Sequence, residues 1–286
     1  MKQIKLLALA WFVIFSIVGC TNNHTGNIPS GNLSTESSAA SQSNSDTSGK
    51  LYEPESKALN PGQYFVNENN GTVKTTEKHF EWVSGSVSVT AEKLKSEDAG
   101  PDSEHLGKIT IKEGEHSYIL NPKNNERQFQ SISLSANKKL LAISLFNGAG
   151  ADLFIVDLSD GNAIDLKTEI AAKTNETIET VAAYNWSPSG YDLAIAYGDT
   201  SSSKIVIYSA DKNSFTFVPS SSTFISTAFV LWSKDGRTLD FVSEKPSDQY
   251  KLYRFDLQNN EVNDVIDLSR DDLSKLENLS PKFLGK

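Results

Sequence analysis

The chain has 286 residues, of which 38% are hydrophobic and 22% are charged, with a formal net charge of −9 and a single cysteine. The acidic balance excludes nucleic acid and anionic lipid surfaces as main partners, because the long-range field repels polyanions. A single cysteine excludes an intramolecular disulfide. The length allows one large domain or at most two.

Residues 1–19 have the pattern of an export signal. Lys2 and Lys5 precede an apolar run that ends at Val18. The run is shorter than the roughly 20 residues that a permanent membrane-spanning helix needs, and it lies where a secretory signal lies. We therefore predict that residues 1–19 are a signal peptide outside the fold, and that the protein works outside the cytoplasm.

The signal ends in Ile17-Val18-Gly19-Cys20, which resembles the lipobox of bacterial lipoproteins. In that family a small residue precedes a cysteine whose thiol carries diacylglycerol. The resemblance implies lipid attachment at Cys20, with fatty acyl chains such as palmitate, and anchoring on the extracytoplasmic face of a cell membrane. Thr21 follows, and not the aspartate that retains lipoproteins at the inner membrane, which implies the outer membrane in a two-membrane bacterium. The alternative is a buried or reactive cysteine behind an export signal.

Residues 20–50 are predicted to form a disordered tether that begins at the lipidated cysteine. The segment is rich in serine and asparagine and has almost no large apolar side chains. Such a composition cannot bury enough surface to offset the entropy of ordering. The folded part is therefore expected at residues 51–286.

A short motif recurs in the second half of the chain, and it is clearest over residues 129–281. Its four copies are Ser133-Leu134-Ser135-Ala136, Asn185-Trp186-Ser187-Pro188, Leu231-Trp232-Ser233-Lys234 and Asn278-Leu279-Ser280-Pro281. Counted from Ser135 to Ser187, Ser233 and Ser280, the spacings are 52, 46 and 47 residues. A repeat length in the forties is typical of a β-propeller blade.

Strand patterns follow each of the first three copies. A turn leads into an alternating apolar strand, a polar loop and a second strand, as in LLAISLF and DLFIVDL from Leu140 and Asp152. Tight turns come next at Asp160-Gly161 and Asn259-Asn260, where residues that tolerate positive φ are needed. A third short strand closes each unit. The pattern predicts four-stranded antiparallel sheets.

The turns resemble the Ser-Pro-Asp-Gly repeats of TolB-type β-propellers. The resemblance rests on Ser187-Pro188-Ser189-Gly190, on Ser233-Lys234-Asp235-Gly236 and on the strand ending Asp256-Leu257. The first copy departs from it, with Ala136-Asn137-Lys138 at the turn. TolB also has an α/β domain before its propeller, and residues 51–75 are too short for one. The resemblance implies a propeller that binds a protein partner, without naming that partner.

The predicted fold class is all-β, a β-propeller-like array of four to five blades, closed or incomplete. Residues 76–122 read as a degenerate blade of strands. Since Ser280-Pro281 begins a further copy of the motif, we expect one blade to combine strands from both ends of the chain. Two short helices are expected at residues 167–181 and 269–276.

No catalytic residue, metal site or cofactor is predicted. The chain has no Gly-x-Ser-x-Gly motif for nucleophilic hydrolysis. The acidic residues of segment 157–162 have the wrong spacing for a calcium loop, and a β-turn explains them better. None of the four histidines forms a His-x-x-x-His pair. The protein is therefore expected not to be an enzyme.

Three tryptophans lie in the expected domain, at Trp82, Trp186 and Trp232. Trp186 and Trp232 occupy the same position in the repeat, which favours one structural role, packing between blades. The alternative is an aromatic face that binds a peptide or glycan, since tryptophan anchors many binding sites. Trp186 and Trp232 are therefore the candidate partner-binding residues.

Two functions fit these patterns. The first is a non-catalytic, lipid-anchored envelope protein whose propeller loops bind a protein or peptide partner. The second is an envelope protein that binds or hydrolyses glycans or cell-wall fragments in a central cleft. Hydrolysis requires carboxylates that face one funnel, about 5 to 10 Å apart.

Overall fold

A computed structural model describes residues 58–69, 71–95, 104–121, 128–199, 201–219, 224–244 and 249–284. All of them belong to the unit Glu53–Lys286. The predicted signal peptide and the tether with Cys20 lie outside the described residues.

The strands form four antiparallel sheets, and each sheet consists of consecutive strands of the chain. Sheet 1 contains β1 (Thr72–Thr75), β2 (His79–Ser84), β3 (Val87–Lys95), β4 (Glu104–Glu113) and β5 (His116–Leu120). Sheet 2 contains β6 (Gln128–Leu134), β7 (Leu140–Phe146), β8 (Ala151–Asp157) and β9 (Ala163–Asp165). Sheet 3 contains β10 (Thr180–Trp186), β11 (Asp192–Gly198), β12 (Ser203–Ser209) and β13 (Ser214–Phe217). Sheet 4 contains β14 (Ile225–Trp232), β15 (Thr238–Glu244), β16 (Tyr250–Asp256) and β17 (Glu261–Leu268). The predicted all-β array of antiparallel blades is confirmed, with four blades in the part of the chain that the structure describes.

Both predicted helices are present, but the first is shorter than predicted, because it ends at Thr174 and residues 180–181 belong to β10. Helix α1 (Leu166–Thr174) connects sheet 2 to sheet 3, and α2 (Arg270–Leu276) follows sheet 4. The predicted capping box of α2 is formed, because Ser269 and Asp272 each accept a hydrogen bond from the other's main chain. The described residues also contain two 3-10 turns, at Pro61–Gln63 and Glu277–Leu279.

The repeated serine motif encodes the turn between the first two strands of a sheet. In each turn the serine Oγ accepts a hydrogen bond from the main-chain N–H five residues later, at 3.0, 3.3 and 3.0 Å for Ser135, Ser187 and Ser233. The residue three positions after the serine has positive φ: 59° at Lys138, 75° at Gly190 and 70° at Gly236. The motif recurs because the same turn is built three times.

The sheets pack face to face in chain order. Three apolar clusters lie between sheets 1 and 2, sheets 2 and 3, and sheets 3 and 4. The Trp186 indole nitrogen donates to the Ser133 carbonyl of sheet 2 at 3.2 Å, and that of Trp232 donates to the Asn185 carbonyl of sheet 3 at 3.1 Å. Each indole thus fixes its own sheet to the preceding one.

The two ends of the array differ. In β4 of sheet 1 the buried Ile109 and Ile111 alternate with the exposed Lys108 and Lys112, so the outer face of this sheet is polar. The outer face of sheet 4 is apolar, and α2 and the segment around Tyr64 cover it. The array is therefore covered at sheet 4, whereas the outer face of sheet 1 is exposed to solvent.

The expectation that one blade combines strands from both ends is wrong for the described residues. Sheet 1 takes its strands from residues 72–120 and sheet 4 from residues 225–268. Instead, α2 and the segment around Tyr64 cover the last sheet, whose apolar face would otherwise meet water, and an antiparallel bridge from Tyr64 to Ser233 joins that segment to the end of β14. The motif copy at Ser280 begins no strand.

A buried charge cluster holds the cap on sheet 4. Asp240 of β15 is fully buried and accepts two hydrogen bonds from the Arg254 guanidinium, both at 2.7 Å. The Tyr64 hydroxyl donates to the same carboxylate at 2.7 Å. Burial, together with the nearby Asp240 carboxylate, raises the pKa of Tyr64 well above its usual range. This phenol therefore stays protonated and remains a donor.

Candidate functional site

The first strands of sheets 2, 3 and 4 converge on one cavity. The Ser131 hydroxyl of β6 donates to the Tyr184 hydroxyl of β10 at 2.9 Å, and the Asn185 amide of β10 donates to the Val230 carbonyl of β14 at 3.1 Å. A cavity of about 110 Å³ opens beside these strands, and we call it the channel mouth. Its main lining residues are Gln130, Ser131, Ala182, Ala183, Ala228, Ser280, Pro281 and Phe283.

Each of the three converging strands has an irregular register at this cavity. The β6 ladder shifts between Phe129 and Ser131, which leaves Gln130 without a partner residue on β7. The β10 ladder shifts in the same way at Ala182, and the β14 ladder shifts between Ile225 and Phe229. Bulges place main-chain groups outside the ladder and re-aim side chains, and they are frequent next to functional sites. The channel mouth is therefore ringed by bulged main chain.

The segment after α2 enters this cavity. The Asn185 amide donates to the Leu279 carbonyl at 2.8 Å, which fixes the start of the segment. Further on, the Leu284 N–H donates to the carbonyl of the bulged Gln130 at 2.8 Å. Phe283 between them is 65% exposed. The bulge of β6 thus already accepts a main-chain amide from another part of the chain.

The channel mouth is neutral. The described residues that line it include no aspartate, glutamate, lysine, arginine or histidine. Burial raises the pKa of Tyr184, so that its hydroxyl is a neutral polar group at the cavity wall. The carboxylate pair that glycoside hydrolysis requires is not found among these described lining residues. Such a surface suits main-chain hydrogen bonds and small apolar contacts.

The candidate residues from the sequence lie elsewhere. Trp186 and Trp232 are 0% and 1% exposed, and both pack between sheets. The hypothesis that they form a partner-binding aromatic face is therefore corrected, because neither indole offers surface to a partner in this structure. Cys20 lies outside the described residues.

A metal-binding cluster and a membrane-spanning helix are both absent from the described residues. These residues contain no group of three or more His, Cys, Asp or Glu side chains placed to hold a metal ion. None of their helices has both the length and the apolar character needed to cross a membrane.

A larger groove of about 480 Å³ lies on the opposite end of the strands, between the turns of sheets 2 and 3. Two of its charged groups, Lys139 and Asp157, have polar partners in the turns. The Lys139 ammonium lies 3.1 Å from the Tyr191 hydroxyl, and the Asp157 carboxylate accepts the Ser159 N–H at 2.8 Å. These contacts stabilise the turns, so we take the channel mouth as the candidate site.

The sequence carries little signal for this site. Gln130 and Ala182 are ordinary strand residues, and neither glycine nor proline marks the bulges. The one pointer was the fourth copy of the serine motif, since Ser280 and Pro281 lie at the cavity.

Neither a family model nor a curated protein matches the chain. Among solved structures it is similar to TolB from Acinetobacter baumannii, with 15% identity, a TM-score of 0.38 and coverage of 68% of this chain. A putative TolB from Agrobacterium tumefaciens matches with 14% identity and a TM-score of 0.40 over 72% of this chain and 79% of that one. A prolyl endopeptidase matches with 14% identity and a TM-score of 0.43 over 73% of this chain and 31% of that one. The chain spans 56% of the length of the Acinetobacter protein. At these identities and scores we draw no functional argument from the similarity.

Proposed function

We propose that this chain is a non-catalytic, lipid-anchored envelope protein that binds an extended peptide segment of a protein partner at the channel mouth. The observation that carries the proposal is the ring of bulges in β6, β10 and β14. Extended peptides are recognised largely through main-chain hydrogen bonds, with small pockets for alternate side chains.

The side chains at the channel mouth support a peptide ligand. Ala182, Ala183 and Ala228 are small, so the main chain of a ligand can approach the strands closely. The Gln130 carbonyl accepts a main-chain amide from Leu284, which is the contact that a peptide strand would make. The four rigid sheets hold these groups in place and lower the entropy cost of binding.

A blocking substitution tests the binding role. Ala182 is exposed at the channel mouth, so Ala182→Arg should fill the mouth without disturbing the core. Thr216 is exposed on β13, the outer strand of the same sheet, and Thr216→Arg is the matched control. We expect Ala182→Arg to reduce partner recovery from detergent-solubilised envelopes about tenfold, which corresponds to about 1.4 kcal/mol. Equal recovery with both variants would contradict the site.

The anchor has a separate test. The proposal places the lipid on Cys20, the only cysteine of the chain. In cells that make the protein, Cys20→Ser should abolish incorporation of labelled palmitate and release the protein from the membrane fraction, because the acyl chains provide the anchoring energy. A Thr21→Ser variant should behave like the natural sequence. Membrane retention of the Cys20→Ser variant would refute lipid anchoring.

A further inference from the structure

The segment after α2 has a firmly held start. Leu276 is fully buried and Leu279 is 8% exposed, and both belong to the apolar cluster under the cap of sheet 4. The carbonyl of Leu279 accepts the hydrogen bond from the buried Asn185 amide. Residues up to Leu279 are therefore part of the folded core.

From Ser280 onward the segment is held mainly at Leu284, whose half-buried side chain packs against the apolar cluster between sheets 1 and 2. One main-chain hydrogen bond, from Leu284 to Gln130, joins residues 280–284 to the described part of the chain. Lys282 and Phe283 are exposed, and the buried Ser280 hydroxyl has no hydrogen-bond partner in the described structure. Segments with few buried contacts open at low free-energy cost.

Residues 280–284 occupy the site proposed for the partner. Ser280, Pro281 and Phe283 line the channel mouth, and Leu284 uses the carbonyl of the bulged Gln130. A peptide from another protein would need the same acceptor and the same space. The segment and a partner peptide cannot bind together.

We infer that residues 280–284 are an internal ligand of the channel mouth, which a partner peptide of similar chemistry displaces. This inference rests on the proposed function. The sequence Ser-Pro-Lys-Phe-Leu then indicates the ligand class. It is an extended peptide that places a proline, and an aromatic residue two positions later, in the cavity, with no charged side chain there. Because the open state is only a fraction of the population, the apparent dissociation constant of a partner rises by the inverse of that fraction.

The test uses a fluorescent peptide of residues 280–286, SPKFLGK, and measures its anisotropy with four forms of the chain. A form that lacks residues 280–286 has an empty mouth and should bind the peptide. The natural chain should bind it about tenfold more weakly. In the full-length chain, Leu284→Pro removes the N–H that donates to the Gln130 carbonyl, together with the leucine side chain that packs against the apolar cluster, and should restore part of the affinity. Lys282→Ala changes an exposed side chain and is the control.

Three outcomes would overturn the inference. The first is equal affinity of the peptide for the shortened and natural chains. The second is no binding to the shortened chain when its melting temperature equals that of the natural chain. The third is equal affinity for Leu284→Pro and Lys282→Ala. The proposed function is judged separately, by partner recovery with Ala182→Arg. If that recovery falls while the peptide results fail, the mouth binds a partner and residues 280–284 are not its internal ligand.

Discussion

The turn glycines Gly190 and Gly236 provide a matched pair for measuring how closely the sheets pack. They occupy the same position of the repeated turn, with φ of +75° and +70°. A Cβ atom on Gly190 would lie 2.5 Å from the main-chain nitrogen of Asn137 in the turn of sheet 2. On Gly236 the nearest atom would be Pro188 Cδ, at 3.8 Å. Alanine is therefore strained at both positions, and it also clashes with a neighbouring sheet at Gly190.

The two effects have different magnitudes. An alanine with left-handed backbone loses about 1–2 kcal/mol, and overpacking against a fixed backbone adds about 1–3 kcal/mol. We therefore expect the free energy of unfolding to fall by about 1–2 kcal/mol for Gly236→Ala and by about 2–5 kcal/mol for Gly190→Ala. Lys138 has φ of 59° at the same position in sheet 2. Lys138→Gly relieves strain there and should be neutral or stabilise by about 1 kcal/mol.

Urea unfolding at constant m-value measures these differences directly. The midpoints should fall in the order Lys138→Gly, natural chain, Gly236→Ala and Gly190→Ala. Equal losses for the two alanine variants would refute the close contact between the turns of sheets 2 and 3. A large loss with Lys138→Gly would refute the common geometry of the three turns.

Two further predictions concern the cap of sheet 4. Tyr64→Phe removes a hydroxyl that donates to the buried Asp240 and should lower the free energy of unfolding by about 1–3 kcal/mol; an unchanged urea midpoint would contradict the role of this bond. Asp272 caps α2, and the side chains of Lys275 and Ser269 lower its pKa to about 2. Because this pKa lies below the usual 3.8, the carboxylate contributes stability above pH 4 and loses the contribution as the pH falls through about 2. The melting temperature of Asp272→Asn should therefore lie below that of the natural chain at pH 6 and approach it near pH 2, and a constant difference would contradict the assignment.

The sequence predicted those parts of the fold that local chemistry specifies. Each repeated turn is closed by hydrogen bonds within about five residues of its serine, so the turn is visible in a short stretch of sequence. The capping box at Ser269 is equally local. The tryptophans are read correctly as packing residues because they recur at one position of an alternating strand.

The parts that escaped prediction depend on distant residues. Tyr64 and Asp240 form a hydrogen bond although they lie 176 positions apart in the chain. The sequence around either residue has no pattern that predicts this contact. The sequence therefore does not indicate that sheet 4 is capped, and the fourth serine motif wrongly predicts the start of a blade. The bulges at Gln130 and Ala182 lie where three sheets meet beside one cavity, and no glycine or proline marks them in the sequence.

Site-specific photo-crosslinking measures most directly whether the channel mouth binds a peptide. A benzophenone amino acid at Ala182, in cells that make the protein, should form adducts with another protein, and mass spectrometry should place them in one contiguous extended segment. The same probe at Thr216 should give none of these adducts. Adducts at Thr216 alone, or adducts at Ala182 scattered over unrelated proteins, would contradict peptide binding at the channel mouth.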